Sequence, residues 1–462
     1  MPDYPTSIFS KISPDRYAQR VFRVACTVGL IVGLLVCISC FPGKRNPISL
    51  PLAGFIFCIY GFLCIVDRES ALGILVLFLP LQNKVVRGLP VTITDLMILE
   101  LALVIWFRVV MGGTTFRFRT ETRWLHVWMI VLFISSMVSM DPGLSLRLWI
   151  RTAMGMVVLL IVQEVIHDRS QLDRLILWAI LSGLFLAAYG LGEGFIRANQ
   201  MSWHLLGRFN NWIRIQSFVV QSNFLAWWLV LLVPWVISAI RLSDTPRDRI
   251  VWWLAMLVVV SVVLLTFSRG GCLALAIVFL FVPISRKIKI AGVIGLVALI
   301  LVSAPMLANL KARGLSVERR FHRYLSAPSL TAHHPLWGYG LGTYKFLDRY
   351  EPGILPPDFK GKYSHSLYIT LAVETGLIST VVFGMVLFQI GRNVYRTFRL
   401  PGALGEGNRI RMMSLVAAVV GLLILELFHS SMQTLMLWVW LAVFQTAPAV
   451  LISDLSESPV PV

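Results

Sequence analysis

Apolar residues in this chain fall into runs close to twenty long, separated by short polar breaks. About twenty such residues cross the hydrocarbon of a bilayer as one helix. Read this way, the pattern predicts spans near 24–41, 50–66, 71–82, 94–111, 124–140, 148–166, 175–196, 217–240, 250–267, 270–284, 289–310, 365–390, 412–428 and 433–452. The third is short, and the two around Arg269 have almost no polar break between them, which gives a range of 12–14. Barrel strands would be short and alternating, and the chain lacks that pattern. The expected fold is all-α, a polytopic integral membrane protein with one long polar loop at 311–364. The expected divisions are 1–23 as a cytoplasmic segment, 24–310 as a membrane domain, 311–364 as a periplasmic loop, 365–452 as C-terminal membrane helices and 453–462 as a cytoplasmic tail.

Composition agrees with the pattern. The 462 residues are 57% hydrophobic and 14% charged, where a soluble chain carries about 25% charged residues. No small-residue cleavage site follows a short apolar core near the start, so the first span is expected to remain. The six cysteines lie in or beside apolar runs, which argues against a disulfide framework. The net charge of +18 would suggest nucleic acid for a soluble protein. Here the basic residues are divided among short loops, so membrane topology accounts for much of the charge and no nucleic-acid partner is expected.

Lys and Arg in short loops set orientation. Arg108 to Arg123, Arg241 to Arg249, Arg286 to Lys289 and Arg392 to Arg411 fall on one side in this count, with the basic N-terminal segment. That side is expected to be cytoplasmic, and 311–364 then faces outward. The long loop is itself basic, with Arg319 and Arg320 among its cations. Long loops translocate largely regardless of charge. A solvated basic face is one reading of it; an anion site is the other, since arginine forks match phosphate oxygens. The outer segment 197–216 adds Arg197, Arg208 and Arg214. Arg269 sits in Ser268-Arg269-Gly270-Gly271 between two apolar runs. An arginine at membrane depth lines a cavity or finds a partner, although a plain turn between helices also fits the two glycines.

His365 follows the longest polar stretch and opens an apolar run. Histidine exchanges protons near neutral pH, so this one is a candidate general base at a bilayer surface. Glu374, nine residues further on, is expected to pair with an arginine. Gly338-Tyr339-Gly340-Leu341-Gly342 looks like a phosphate loop, but no βαβ unit surrounds it. His333 and His334 lack a third ligand at a recognisable spacing.

These motifs, in this order, resemble the O-antigen ligase and Wzy-type polymerase superfamily. His365-Ser366, nine residues, then Gly376-Leu377-Ile378-Ser379 is similar to its histidine motif, with Ser379 where glycine is usual. Ser268-Arg269-Gly270 resembles its Ser-Arg-Gly segment. Arg214 before Gln221-Ser222-Asn223 resembles its Arg…Pro-Asn segment, with Ser222 in place of proline. His334-Pro335-Leu336-Trp337-Gly338-Tyr339-Gly340 resembles the turn before its catalytic histidine. The likeness covers roughly 205–390. It implies a metal-independent glycosyltransferase of the bacterial inner membrane, acting at the periplasmic face without a cofactor. The implied donor is a glycan on undecaprenyl pyrophosphate. The acceptor is a sugar hydroxyl, on lipid A-core for a ligase or on another lipid-linked glycan for a polymerase. On this resemblance His365 is the base, and Arg214, Arg269 and one of Arg319 or Arg320 contact pyrophosphate.

Two further readings stay open. Leu79-Pro80-Leu81 and Pro90-Val91-Thr92-Ile93-Thr94-Asp95 look like segments of exopolysaccharide polymerases. A transporter or flippase of a lipid-linked anionic saccharide is the rival from another class. It should show repeated halves and charges along the whole pathway, and the sequence displays neither.

Overall fold

The computed structural model describes residues 50–82, 85, 91–112, 120–200, 215, 217, 221–287, 289, 290, 292, 294, 311–355, 360–399 and 405–453. The spans expected at 24–41 and over most of 289–310, with the segment 1–23, lie outside the described residues. The helices are α1 Leu50–Val66, α2 Arg68–Phe78, α3 Ile93–Val110, α4 Arg123–Met137, α5 Pro142–Val165, α6 Arg169–Gln200, α7 Ser222–Leu242, α8 Pro246–Leu265, α9 Arg269–Phe281, α10 Lys311–His333, α11 Leu367–Thr370, α12 Gly376–Phe398, α13 Glu406–Phe428 and α14 Leu435–Ser453. Among the described residues, seven helices have the length and apolarity to cross a bilayer, counting the continuous stretch Leu367–Phe398 as one, and three shorter apolar helices accompany them. Among the described residues, the extended structure is a single bridge between Val85 and Thr92. The protein is an all-α, polytopic membrane protein.

Local sequence starts many of these helices. Asp67 caps α2 through the amides of Glu69 and Ser70. Thr92 and Asp95 form a reciprocal capping box on α3. Asp141, Thr245 and Ser268 cap α5, α8 and α9. Each cap satisfies an N–H that has no partner within its helix.

Burial separates core from lipid-facing helices. α7 and α14 are each 89% buried over their apolar windows. Apolar all round, they form the centre. Trp440 of α14 packs between Trp228 (5.8 Å) and Trp235 (6.5 Å) of α7. Outer helices present apolar side chains outward, among them Phe62, Trp106, Leu257 and Phe388.

The two ends of the bundle differ. At one, Arg241 bonds the Pro283 carbonyl (2.7 Å) and Glu406 (3.3 Å), and Arg411 forks onto Asp173 (2.6 and 2.8 Å). At the other lie the ends or starts of α2, α4, α5, α7, α13 and α14, together with 334–355 and 360–366. Met140 N bonds Tyr339 O (3.0 Å), Leu367 N bonds His429 O (3.2 Å), and Leu435 N bonds the Gln82 side chain (2.8 Å). The strict alternation of spans predicted this grouping of connections.

Candidate active site

The span expected at 365–390 is a broken helix. α11 makes one turn, Leu371–Thr375 widens into a π turn, and Gly376 takes φ +77° before α12 continues. Widening releases carbonyls from the helical ladder. The glycine turn fills the gap: Tyr339 N bonds Val373 O (3.1 Å), Gly340 N bonds Glu374 O (2.7 Å) and Leu377 N bonds Pro335 O (2.8 Å). Gly338, Gly340, Gly342 and Gly376 all have positive φ. A Cβ on Gly338 would stand 2.5 Å from the Glu374 carbonyl, and one on Gly376 would strike the Leu336 carbonyl. The two glycine motifs are thus the two halves of one backbone joint.

The Glu374 side chain completes the joint. Its oxygens accept from the amides of Gly342 (2.7 Å) and Tyr344 (3.1 Å). The expected arginine partner is replaced by backbone, because consecutive turn glycines leave N–H groups that need acceptors.

His365 sits just before this joint with φ +59°, a region costly for most side chains but enriched in histidine. Its neighbours hold it there. Ser364 Oγ bonds Thr370 Oγ1 (2.6 Å), Thr370 Oγ1 donates to Ser366 O (2.8 Å), and Tyr324 OH donates to Ser366 Oγ (3.0 Å). The half-buried ring lines a cavity of 460 Å³ at the bundle end. Lys345, Phe346, Tyr363 and Glu374 line it beside His365. Gln82, Arg151, Gln221, His429 and Gln433 line it as well.

Lys345 stands over the rings of Phe346 (4.5 Å) and Tyr363 (5.0 Å) and has no carboxylate partner among the described residues. Burial pushes the Tyr344 phenol up to about 12, with Glu374 adding to the rise and Arg323 opposing it. Burial, with a bond to Glu351, likewise raises Tyr339. Neither phenol exchanges protons near neutrality.

A carboxylate hub steadies the turn from outside. Glu351 bonds His334 (3.0 Å) and accepts from Tyr339 (3.0 Å), and His333 Nδ1 stands 3.2 Å from its second oxygen. Burial alone would raise this carboxyl, but the bonds from His334 and Tyr339 and the nearby histidine rings hold it below the ordinary range. Among the described residues, no cluster of three or more His, Cys, Asp or Glu is placed to hold a metal.

The predicted arginines fare differently. Arg269 is exposed at the start of α9, at the same end of the bundle but not on the cavity wall. Gly270 and Gly271 let α9 close on Phe428 and Ala226, so these glycines serve helix packing. Arg319 and Arg320 lie on α10, and their side chains, like the whole of Arg214, lie outside the described residues. Sequence reasoning missed Arg151, Lys345 and the three glutamines. Thr92-Ile93-Thr94-Asp95 was the signal for the first: Asp95 ion-pairs with Arg151.

A second cavity, of 690 Å³, lies on the other side of α11. Its walls are mostly apolar: Ala327, Pro328 and Ala332 from α10, with Ile369, Ala372 and Leu377 opposite. Exposed Phe321, Leu325, Leu377, Val381 and Phe388 continue the apolar surface along α10 and α12.

Residues 253–384 match the family model described as O-antigen ligase; this stretch holds α9, the glycine turn, His365 and the joint, and the match supports a membrane enzyme of glycan transfer in general. No curated protein matches the chain.

Proposed function

We propose that this protein transfers a glycan from undecaprenyl pyrophosphate to a sugar hydroxyl at the periplasmic face of the bacterial inner membrane. The observation that carries the reading is His365, clamped in a left-handed backbone at a cavity shared with Lys345, a cation that bonds the Tyr363 hydroxyl (3.2 Å) and has no carboxylate partner among the described residues. The acceptor hydroxyl gives its proton to an imidazole nitrogen as its oxygen attacks the anomeric carbon. The bond from that carbon to the diphosphate oxygen breaks, and the electron pair leaves with pyrophosphate. Attack from the opposite face inverts the centre. Arginines hold charge without titrating; Arg214, Arg269 and one of Arg319 or Arg320 take the diphosphate, joined by Lys345. Fixed charges at a poorly hydrated site stabilise such a leaving group strongly. No metal is assigned to the step. The apolar cavity behind α11 suits the donor's hydrocarbon chain, since its surface continues into the lipid-facing stripe of α12.

The test is a reconstituted assay with undecaprenyl-pyrophosphoryl glycan and either lipid A-core or a second lipid-linked glycan as acceptor. Glycosidic product that vanishes with His365→Gly supports the reading. Full transfer by that variant removes the base assignment. Donor crossing vesicles without any glycosidic product would establish a flippase instead.

A further inference from the structure

The site has two chemically different walls. Lys345 and His365 form one, cationic or able to become so. The other contains Arg151, whose charge is already matched: one Asp95 oxygen takes the guanidinium, and the second accepts from Thr92 N (3.0 Å) and Thr92 Oγ1 (2.6 Å). Arg151 also donates to the Gln82 carbonyl (3.1 Å). Gln82 is 3% exposed. Its side-chain oxygen is occupied by Leu435 N (2.8 Å), which fixes the amide plane and leaves its NH₂ group on the cavity side. Gln221 and Gln433 bring two more amides to the same space. Phe224 and His429 pack together there, ring centroids 5.4 Å apart.

A group of neutral amides, of which Gln82 is held by Leu435 N, with one neutralised guanidinium, is poorly suited to diphosphate. It suits a neutral ring carrying several hydroxyls, each both donor and acceptor, with an aromatic face for the ring's C–H side. We infer that Gln82, Arg151, Gln221 and Gln433 form the acceptor-saccharide subsite. The diphosphate belongs to Lys345. The Thr92–Asp95 segment then has a function: it fixes Arg151 and so orders this wall. The inference rests on the transfer reading above and adds which residues choose the acceptor.

The experiment uses the full-length protein in nanodiscs. Gln221→Ala and Gln433→Ala remove amides without touching a backbone bond. Gln82→Glu keeps the acceptor for Leu435 and deletes the inward donor. Transfer rates are measured against acceptor and donor concentration separately. Saturation-transfer NMR follows two probes, the phosphate-free oligosaccharide released from the donor by mild acid and the lipid A-core oligosaccharide. The expected result is an acceptor KM raised about tenfold per variant, equivalent to about 1.4 kcal/mol, a donor KM within about twofold, and loss of the saccharide signal. An unchanged acceptor KM, an equal rise in both constants, or no saccharide signal from the unmodified protein overturns the assignment. A signal that the variants abolish, from a protein that makes no product, retains the saccharide wall and removes the transfer reading.

Discussion

Gly376→Ala tests the joint between the glycine turn and the broken helix. The new methyl strikes the Leu336 carbonyl, a backbone atom that cannot swing aside like a side chain. Positive φ at a non-glycine costs roughly 1–2 kcal/mol. Displacing the turn also threatens three backbone bonds, Tyr339–Val373, Gly340–Glu374 and Leu377–Pro335, worth about 0.5–1.5 kcal/mol each. The expected loss is about 3–6 kcal/mol locally. Fluorescence-detected thermal unfolding in detergent, using the 15 tryptophans, should show a lower midpoint, and transfer should fall by at least about tenfold. Gly384→Ala is the control. Gly384 lies in the same helix with nothing within 4 Å of an added Cβ, and alanine there should be neutral or stabilising by up to ~1 kcal/mol. Gly376→Ala behaving like that control in both assays would refute the account of the joint.

His365→Gly keeps the backbone relaxed at φ +59° and deletes the base; an unaltered unfolding midpoint with transfer reduced roughly 10²–10⁴-fold is expected. Because Glu351 is held below its unfolded value, its contribution to stability is present above pH about 4.3 and is lost as pH falls through the lower folded value. Glu351→Gln should therefore flatten the acid limb of a midpoint-versus-pH curve, and an unchanged limb would count against the hub. Ser379→Gly restores the residue usual in the motif but removes the acceptor for Trp128 Nε1 (2.9 Å). A buried indole N–H left alone costs about 1–3 kcal/mol, so urea unfolding should show destabilisation; a stabilised variant would mean the hydroxyl matters less than close packing.

Much of the fold was legible because hydrocarbon imposes one rule on every span, and apolar length reports it directly. α1, α3, α4 and α14 begin and end within about three residues of the predicted runs, and Thr92, Asp141 and Ser268 mark starts by their capping chemistry. The π turn was invisible, since Leu371–Thr375 has the composition of any apolar helix. The site was legible where chemistry is local: His365 at a polar border, glycines where backbone meets backbone. It was illegible where partners come from afar. Arg151 reads as one more cation in a span until Asp95, 56 residues earlier, is brought beside it. Glu374 was expected to seek an arginine because charge pairing can be guessed from sequence, whereas the amides of Gly342 and Tyr344 depend on how the turn docks.

The π turn also sets a length constraint. Such a turn holds one residue more than the α-helical path, and an α-helix advances about 100° and 1.5 Å per residue. Deleting any single residue between Leu371 and Thr375 would let the segment rewind as α-helix. The Val373 and Glu374 carbonyls would then return to the helical ladder and be lost to Tyr339 N and Gly340 N, which undoes the joint. The interval from His365 to Gly376 is therefore a ruler: side chains along it can drift while its length cannot, and insertions or deletions in homologous chains should avoid it even where the intervening residues differ.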